Sequence, residues 1–64
     1  MKNLEYVKNN FKVILEYEKS KPYSTELKAK ELIIYFGADN ICKLYGCSVV
    51  STKIAEAILI KVLK

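Results

Sequence analysis

The C-terminal stretch from Ser48 to Lys64 constrains the fold more than any other part of this chain. It reads Ser-Val-Val-Ser-Thr-Lys-Ile-Ala-Glu-Ala-Ile-Leu-Ile-Lys-Val-Leu-Lys. At about 100° per residue, Ser51, Ala55, Ile58, Leu59 and Val62 share one face of a helix. Ile54 and Leu63 flank that face, and Ile60 falls opposite it, among Lys53, Glu56 and Lys64. A surface helix needs a far narrower apolar stripe, so a helix that is apolar nearly all round is buried on several sides. The pattern predicts a central or interface helix over about 49–63, with the rest of the chain packed around it.

Three further helices are expected to do that packing. Over 4–19, Leu4, Val7, Phe11, Ile14 and Leu15 follow the i, i+3, i+4, i+7 spacing of a core-facing stripe. The same helix carries a second stripe, Tyr6, Val13 and Tyr17 with Asn10 between, which reads as a contact face for a partner or a second subunit. Lys21-Pro22 breaks it, because a residue before proline avoids helical backbone. Ser24 then offers an N-cap, and a helix over 25–36 is expected to bury Ala29, Leu32, Ile33 and Phe36 before Gly37 ends it. Asp39 is the expected cap of a short helix over 40–45, closed by Gly46. Either Ser48 or Ser51 starts the last helix, and Val49-Val50 is the one place for a short extended piece. No alternating pattern or Asn-Gly turn suggests a strand. The expectation is an all-α, compact four-helix domain that takes in the whole chain, 1–64.

Composition supports that expectation and narrows the function. Hydrophobic residues make up 52% of the 64, above the about 45–50% of ordinary soluble domains. So small a chain is marginal alone, and the apolar excess points to a homodimer or other homo-oligomer. Cys42 and Cys47, with no histidine in the chain, fall short of the four ligands that tetrahedral zinc requires. They read as small buried apolar groups. No metal or cofactor is expected. No charged-then-apolar leader opens the sequence, and no apolar run approaches the ~20 residues of a membrane span, so a cytoplasmic protein without membrane contact is expected.

The formal charge is +4, from eleven lysines and no arginine against seven acids. The lysines are scattered rather than clustered. An all-lysine basic set fits an AT-rich genome, such as that of a phage or mobile element. It is a poor set for reading guanine, which falls mainly to arginine.

One segment nevertheless resembles a DNA-binding unit. Phe36-Gly37-Ala38-Asp39-Asn40-Ile41-Cys42-Lys43-Leu44-Tyr45-Gly46 is similar to the first half of a helix-turn-helix of the phage-repressor type. Cys42 and Gly46 hold the places of the small mid-helix residue and the turn glycine. The second half departs from the pattern, with Thr52 and Ala55 where larger apolar anchors stand in such units and Ile54 one place out of register. The resemblance implies a DNA-reading surface made of Ser48, Val49, Ser51, Thr52 and Lys53.

Signals for catalysis are missing: there is no histidine, no glycine-rich phosphate loop, and no pair able to activate a nucleophile. Two functions therefore compete. The first is a non-enzymatic regulator that contacts a protein partner through exposed apolar helix faces, Tyr6, Val13 and Tyr17 on the first helix and Ala57 with Ile60 on the last. The second is a helix-turn-helix transcriptional regulator turning at Gly46.

Overall fold

The computed structural model describes residues 3–64. Four helices follow one another: α1 (Leu4–Lys19), α2 (Thr25–Phe36), α3 (Ala38–Leu44) and α4 (Thr52–Leu63). No strand occurs among the described residues. Each long helix starts on a short polar side chain that accepts an otherwise orphaned backbone N–H. Asn3 Oδ1 accepts from the Tyr6 N–H at 2.8 Å, Ser24 Oγ from Leu27 at 3.2 Å and Ser51 Oγ from Ile54 at 3.1 Å.

Two expected boundaries move, each for a local reason. α3 begins at Ala38 rather than 40, because Gly37 adopts φ 93° and ends α2 while serving directly as the residue before α3. Asp39 therefore lies inside the first turn, where its charge suits the helix dipole, and does not cap it. α3 stops at Leu44 in a Schellman turn. Gly46, at φ 72°, donates to the Lys43 carbonyl at 3.1 Å, and Cys47 donates to Cys42 at 2.9 Å.

α4 begins at Thr52 rather than 49. Val49 and Val50 stay outside it, in keeping with the low helix preference of β-branched residues, and Ser51 takes the cap with extended backbone (φ −155°, ψ 158°). Ser48 caps nothing there.

The core gathers Val7, Phe11 and Leu15 from α1, Ala29, Leu32 and Phe36 from α2, Ile41 and Cys42 from α3, and Ala55 and Leu59 from α4. Burying each of the larger side chains contributes roughly 1.5–3 kcal/mol. Phe11 packs against Phe36 at 5.6 Å between ring centroids and edge-on against Tyr45 at 5.9 Å, which ties α1 to α2 and to the end of α3. Buried Asn40 donates to the Phe36 carbonyl at 2.9 Å, and the Cys42 thiol lies 3.5 Å from the Ser51 carbonyl. Both cysteines are free thiols; Cys42 is fully buried, and Cys47 is half-buried against the core.

α4 packs most extensively against α2 and next against α3. Of its half-buried residues, Ile54, Ile60, Val62 and Leu63 lie against the core, while Ile58, expected on the buried face, is half-buried beside it; Lys53, Ala57, Lys61 and Lys64 are left to solvent. Ile60, expected on the far side, is therefore at the edge of the buried arc. The arc is wider than one helical face because neighbours meet α4 from more than one side.

Candidate protein-binding groove

The second stripe of α1 does reach solvent. Tyr6, Val13 and Tyr17 are 37%, 72% and 65% exposed. It does not stand alone, because α2 runs alongside and brings Tyr35 to it. The Tyr6 and Tyr35 hydroxyls are 2.9 Å apart, and Tyr35 lies edge-on against Phe36 at 4.9 Å, so one of these rings is braced from the core. On the same helix Ile34 is the most exposed large apolar residue, at 84%.

Between the two helices lies a cavity of about 340 Å³ lined by Ile14, Tyr17, Glu18, Lys21, Glu31, Leu32 and Tyr35. That is at the small end of the roughly 300–1,000 Å³ range of ligand pockets. Apolar Ile14 and Leu32 and aromatic Tyr17 and Tyr35 line it together with charged groups. Glu18 is only 4% exposed. Its Oε2 pairs with Lys21 Nζ at 3.2 Å, and the same Nζ stands 3.9 Å from Glu31 Oε2. Lys21 also sits over the Tyr17 ring at 5.1 Å and near Tyr23 at 5.8 Å, both within cation–π range.

Two carboxyls converging on one ammonium leave a charge problem. Glu18 Oε1 and Glu31 Oε2 are buried, and no group outside the two carboxyls donates a hydrogen bond to either. The Glu31 carboxyl is held above its ordinary range, first by hydrogen bonding to Glu18, then by desolvation and by the charge of Glu18, with Lys21 opposing. Lys21 is raised as well, chiefly through its hydrogen bond to Glu18. A carboxyl that keeps its proton longer than usual beside a buried carboxylate is the pattern of two acids sharing one proton.

The other expected site residues are not brought together in this way. Ala57 is exposed but stands among Lys53, Lys61 and Lys64, and Ile60 lies against the core. The two make no open apolar face, because the wide burial of α4 takes Ile60 in. Of the expected DNA-reading residues, Ser48 and Val49 lie in the connection, Ser51 spends its hydroxyl on the cap, and Thr52 and Lys53 are exposed in the first turn of α4. α3 and α4 are joined through residues 45–51, longer than the 3–4-residue turn of a helix-turn-helix.

Among the described residues, no three or more His, Cys, Asp or Glu side chains come together to hold a metal, and no helix is long and apolar enough to cross a membrane. The sequence analysis missed Glu18, Lys21, Glu31 and Tyr35. Glu18 had a signal: it continues the stripe Val7, Phe11, Leu15 by three residues, so an acid was due on the core side. Glu31 and Tyr35 had none, since only the pairing of α1 with α2 turns them inward. No family model matches this chain, and no curated protein or solved structure matches it significantly.

Proposed function

We propose that this protein works without chemistry of its own, by binding a protein partner through the face that α1 and α2 share. The observation that carries this reading is the groove itself. Tyr17 of α1 and Tyr35 of α2 both line a cavity between the two helices, and exposed Tyr6 and Val13 lie on the same helix as Tyr17. Tyrosine suits such a surface because it presents apolar area at low entropic cost and keeps a hydroxyl for hydrogen bonding. The open strip of α4 is mainly lysine, and the other exposed aliphatic residues, Leu27 and Ile34 on α2 and Val49 and Val50 before α4, do not line the cavity. A regulator that acts by occupying its partner's surface needs no more than this.

The homodimer expected from composition is a competing occupant of the same face. A photo-crosslinking residue in place of Val13, compared with one in place of Ala57 on the lysine strip, identifies what sits there in the native cell. The purified pair then gives the measurement. Tyr17→Glu and Val13→Glu are expected to abolish binding while Ala57→Glu preserves it. If both α1 variants bind the partner as the parent does, the reading is lost. If the crosslink joins two copies of this chain, the face serves self-association instead.

A further inference from the structure

We propose that the cavity between α1 and α2 receives an arginine side chain of the partner, its guanidinium bridging Glu18 and Glu31 between the rings of Tyr17 and Tyr35. The identity of the occupant as part of a protein rests on the preceding reading. The chemistry of the site rests on its own geometry.

The pocket lacks donors where it has buried acceptors. Glu18, 4% exposed, presents Oε1 with no donor from outside the two carboxyls, and Glu31 Oε2 is in the same condition. Lys21 answers only part of this demand, since its Nζ is 3.2 Å from the other oxygen of Glu18 and 3.9 Å from Glu31 Oε2. A point-charge ammonium on a flexible stem is thus already in place. What remains unfilled calls for a flat cation with several N–H groups in a fixed fork, which is the guanidinium. Such a cation also stacks on aromatic faces, and Tyr17 already carries one cation over its ring, 5.1 Å from Lys21 Nζ. Charge favours the same occupant. The chain carries +4 overall, yet this cavity holds two acids and one lysine, so its local balance is acidic. The sequence contains no arginine, so a second copy of the chain cannot supply the group.

Hydrogen bonding to Glu18, desolvation and the charge of Glu18 hold the Glu31 carboxyl above its ordinary range, so it stays protonated to higher pH than an ordinary carboxyl. An entering guanidinium brings its own N–H donors and favours the carboxylate, so in the pH range where Glu31 is still protonated its proton leaves to solvent as the cation arrives. Binding then releases protons, and affinity rises with pH as Glu31 deprotonates. The titratable groups lining the cavity are Glu18, Lys21 and Tyr17 from the α1 side and Tyr35 beside Glu31 on α2. Lys28, three residues before Glu31 on α2, is turned to the Lys19 carbonyl at 2.9 Å, and Lys30, next to Glu31 in the chain, is exposed and does not line the cavity.

The test is an NMR titration of the full chain with N-acetyl-arginine amide, alongside the blocked lysine and the neutral isostere citrulline. Saturable shifts of the Tyr17 and Tyr35 rings with arginine are expected, weaker ones with lysine and none with citrulline. Glu18→Gln and Glu31→Gln, each checked for retained helicity, should weaken arginine binding by about tenfold or more. Proton release on binding should vanish in Glu31→Gln. The proposal is overturned if arginine leaves both rings unmoved, if lysine or citrulline does as well, or if both glutamine variants bind like the parent. A partner that tolerates Glu18→Gln and Glu31→Gln but is lost in Tyr17→Glu would discard the arginine and keep the binding face.

Discussion

Glu18 and Glu31 show how one misplaced charge can organise a small protein. Glu18 occupies a core position on α1 and is tolerated there because Lys21 pairs with it at 3.2 Å. Glu31 adjusts by holding its proton above the ordinary carboxyl range, chiefly through hydrogen bonding to Glu18. A group whose acid is favoured in the folded state stabilises the protein most at low pH, and that contribution is lost as pH rises from the unfolded value through the folded one. Thermal melts should therefore show a fall in stability as pH climbs upward from about 4.5, and Glu31→Gln should flatten it. A parent and variant with parallel pH profiles would show that the carboxyls do not share a proton. Lys21, being raised, works in the other window: its contribution is present at neutral pH and fades only as pH passes above 10.5.

The two glycines make a second comparison at this scale. Gly46, at φ 72°, has no atom within 4 Å of a would-be Cβ, so Gly46→Ala carries only the backbone cost of about 1–2 kcal/mol. Gly37, at φ 93° and ψ 136°, would also bring that Cβ to 3.1 Å from Asp39 Oδ1. Chemical denaturation should rank Gly37→Ala as the more damaging of the two.

At the level of elements, α4 explains what was legible in the sequence and what was not. Its periodicity alone placed Ala55 and Leu59 in the core, whereas the burial expected nearly all round the helix is only partial, with Ile54, Ile58, Ile60, Val62 and Leu63 half-buried. All four helices were readable, because apolar spacing and Gly, Pro and Ser punctuation are local signals. The first residue of α4 was not readable, since Ser48 and Ser51 are equally good caps and only the path of Val49-Val50 decides between them. The structure gives the role to Ser51, whose hydroxyl takes the Ile54 N–H while its carbonyl accepts from Ala55. Ser51→Ala should thus cost about 1 kcal/mol, whereas Ser48→Ala should fall within the noise of an equilibrium melt. Equal costs would mean the helix starts earlier than Thr52. Ile60 went astray for a related reason: a helical wheel gives direction but not how many neighbours surround the helix. The groove was half legible. Tyr6, Val13 and Tyr17 lie on one helix, while Tyr35 and Glu31 reach it only through tertiary pairing.

For the molecule as a whole, the question is whether the fold needs a second copy to close. The radius of gyration is 10.7 Å, against roughly 11 Å for a compact monomer of this length. The accessible surface is 4330 Å², and the scaling for monomers of 7.3 kDa gives roughly 4,200 Å². A half-finished core would leave an excess of surface that is not seen. The exposed apolar residues are therefore not needed to complete the core, which leaves them available for the proposed binding face. From this it follows that charge placed on the binding face should leave the fold intact. Val13 is 72% exposed, so Val13→Glu is expected to shift stability by no more than about 0.5 kcal/mol. Leu59→Ala, which empties a fully buried site, should cost about 2–5 kcal/mol. Against the ~3–5 kcal/mol that a core of this size supplies, the second variant should be largely unfolded while the first melts with its parent. The melting temperature should also be independent of protein concentration over about a hundredfold range, because a dimer required for folding would make it rise with concentration by mass action. A melting point that climbs with concentration and drops in Val13→Glu would place a second copy on the α1/α2 face, and with it the homodimer that composition suggests.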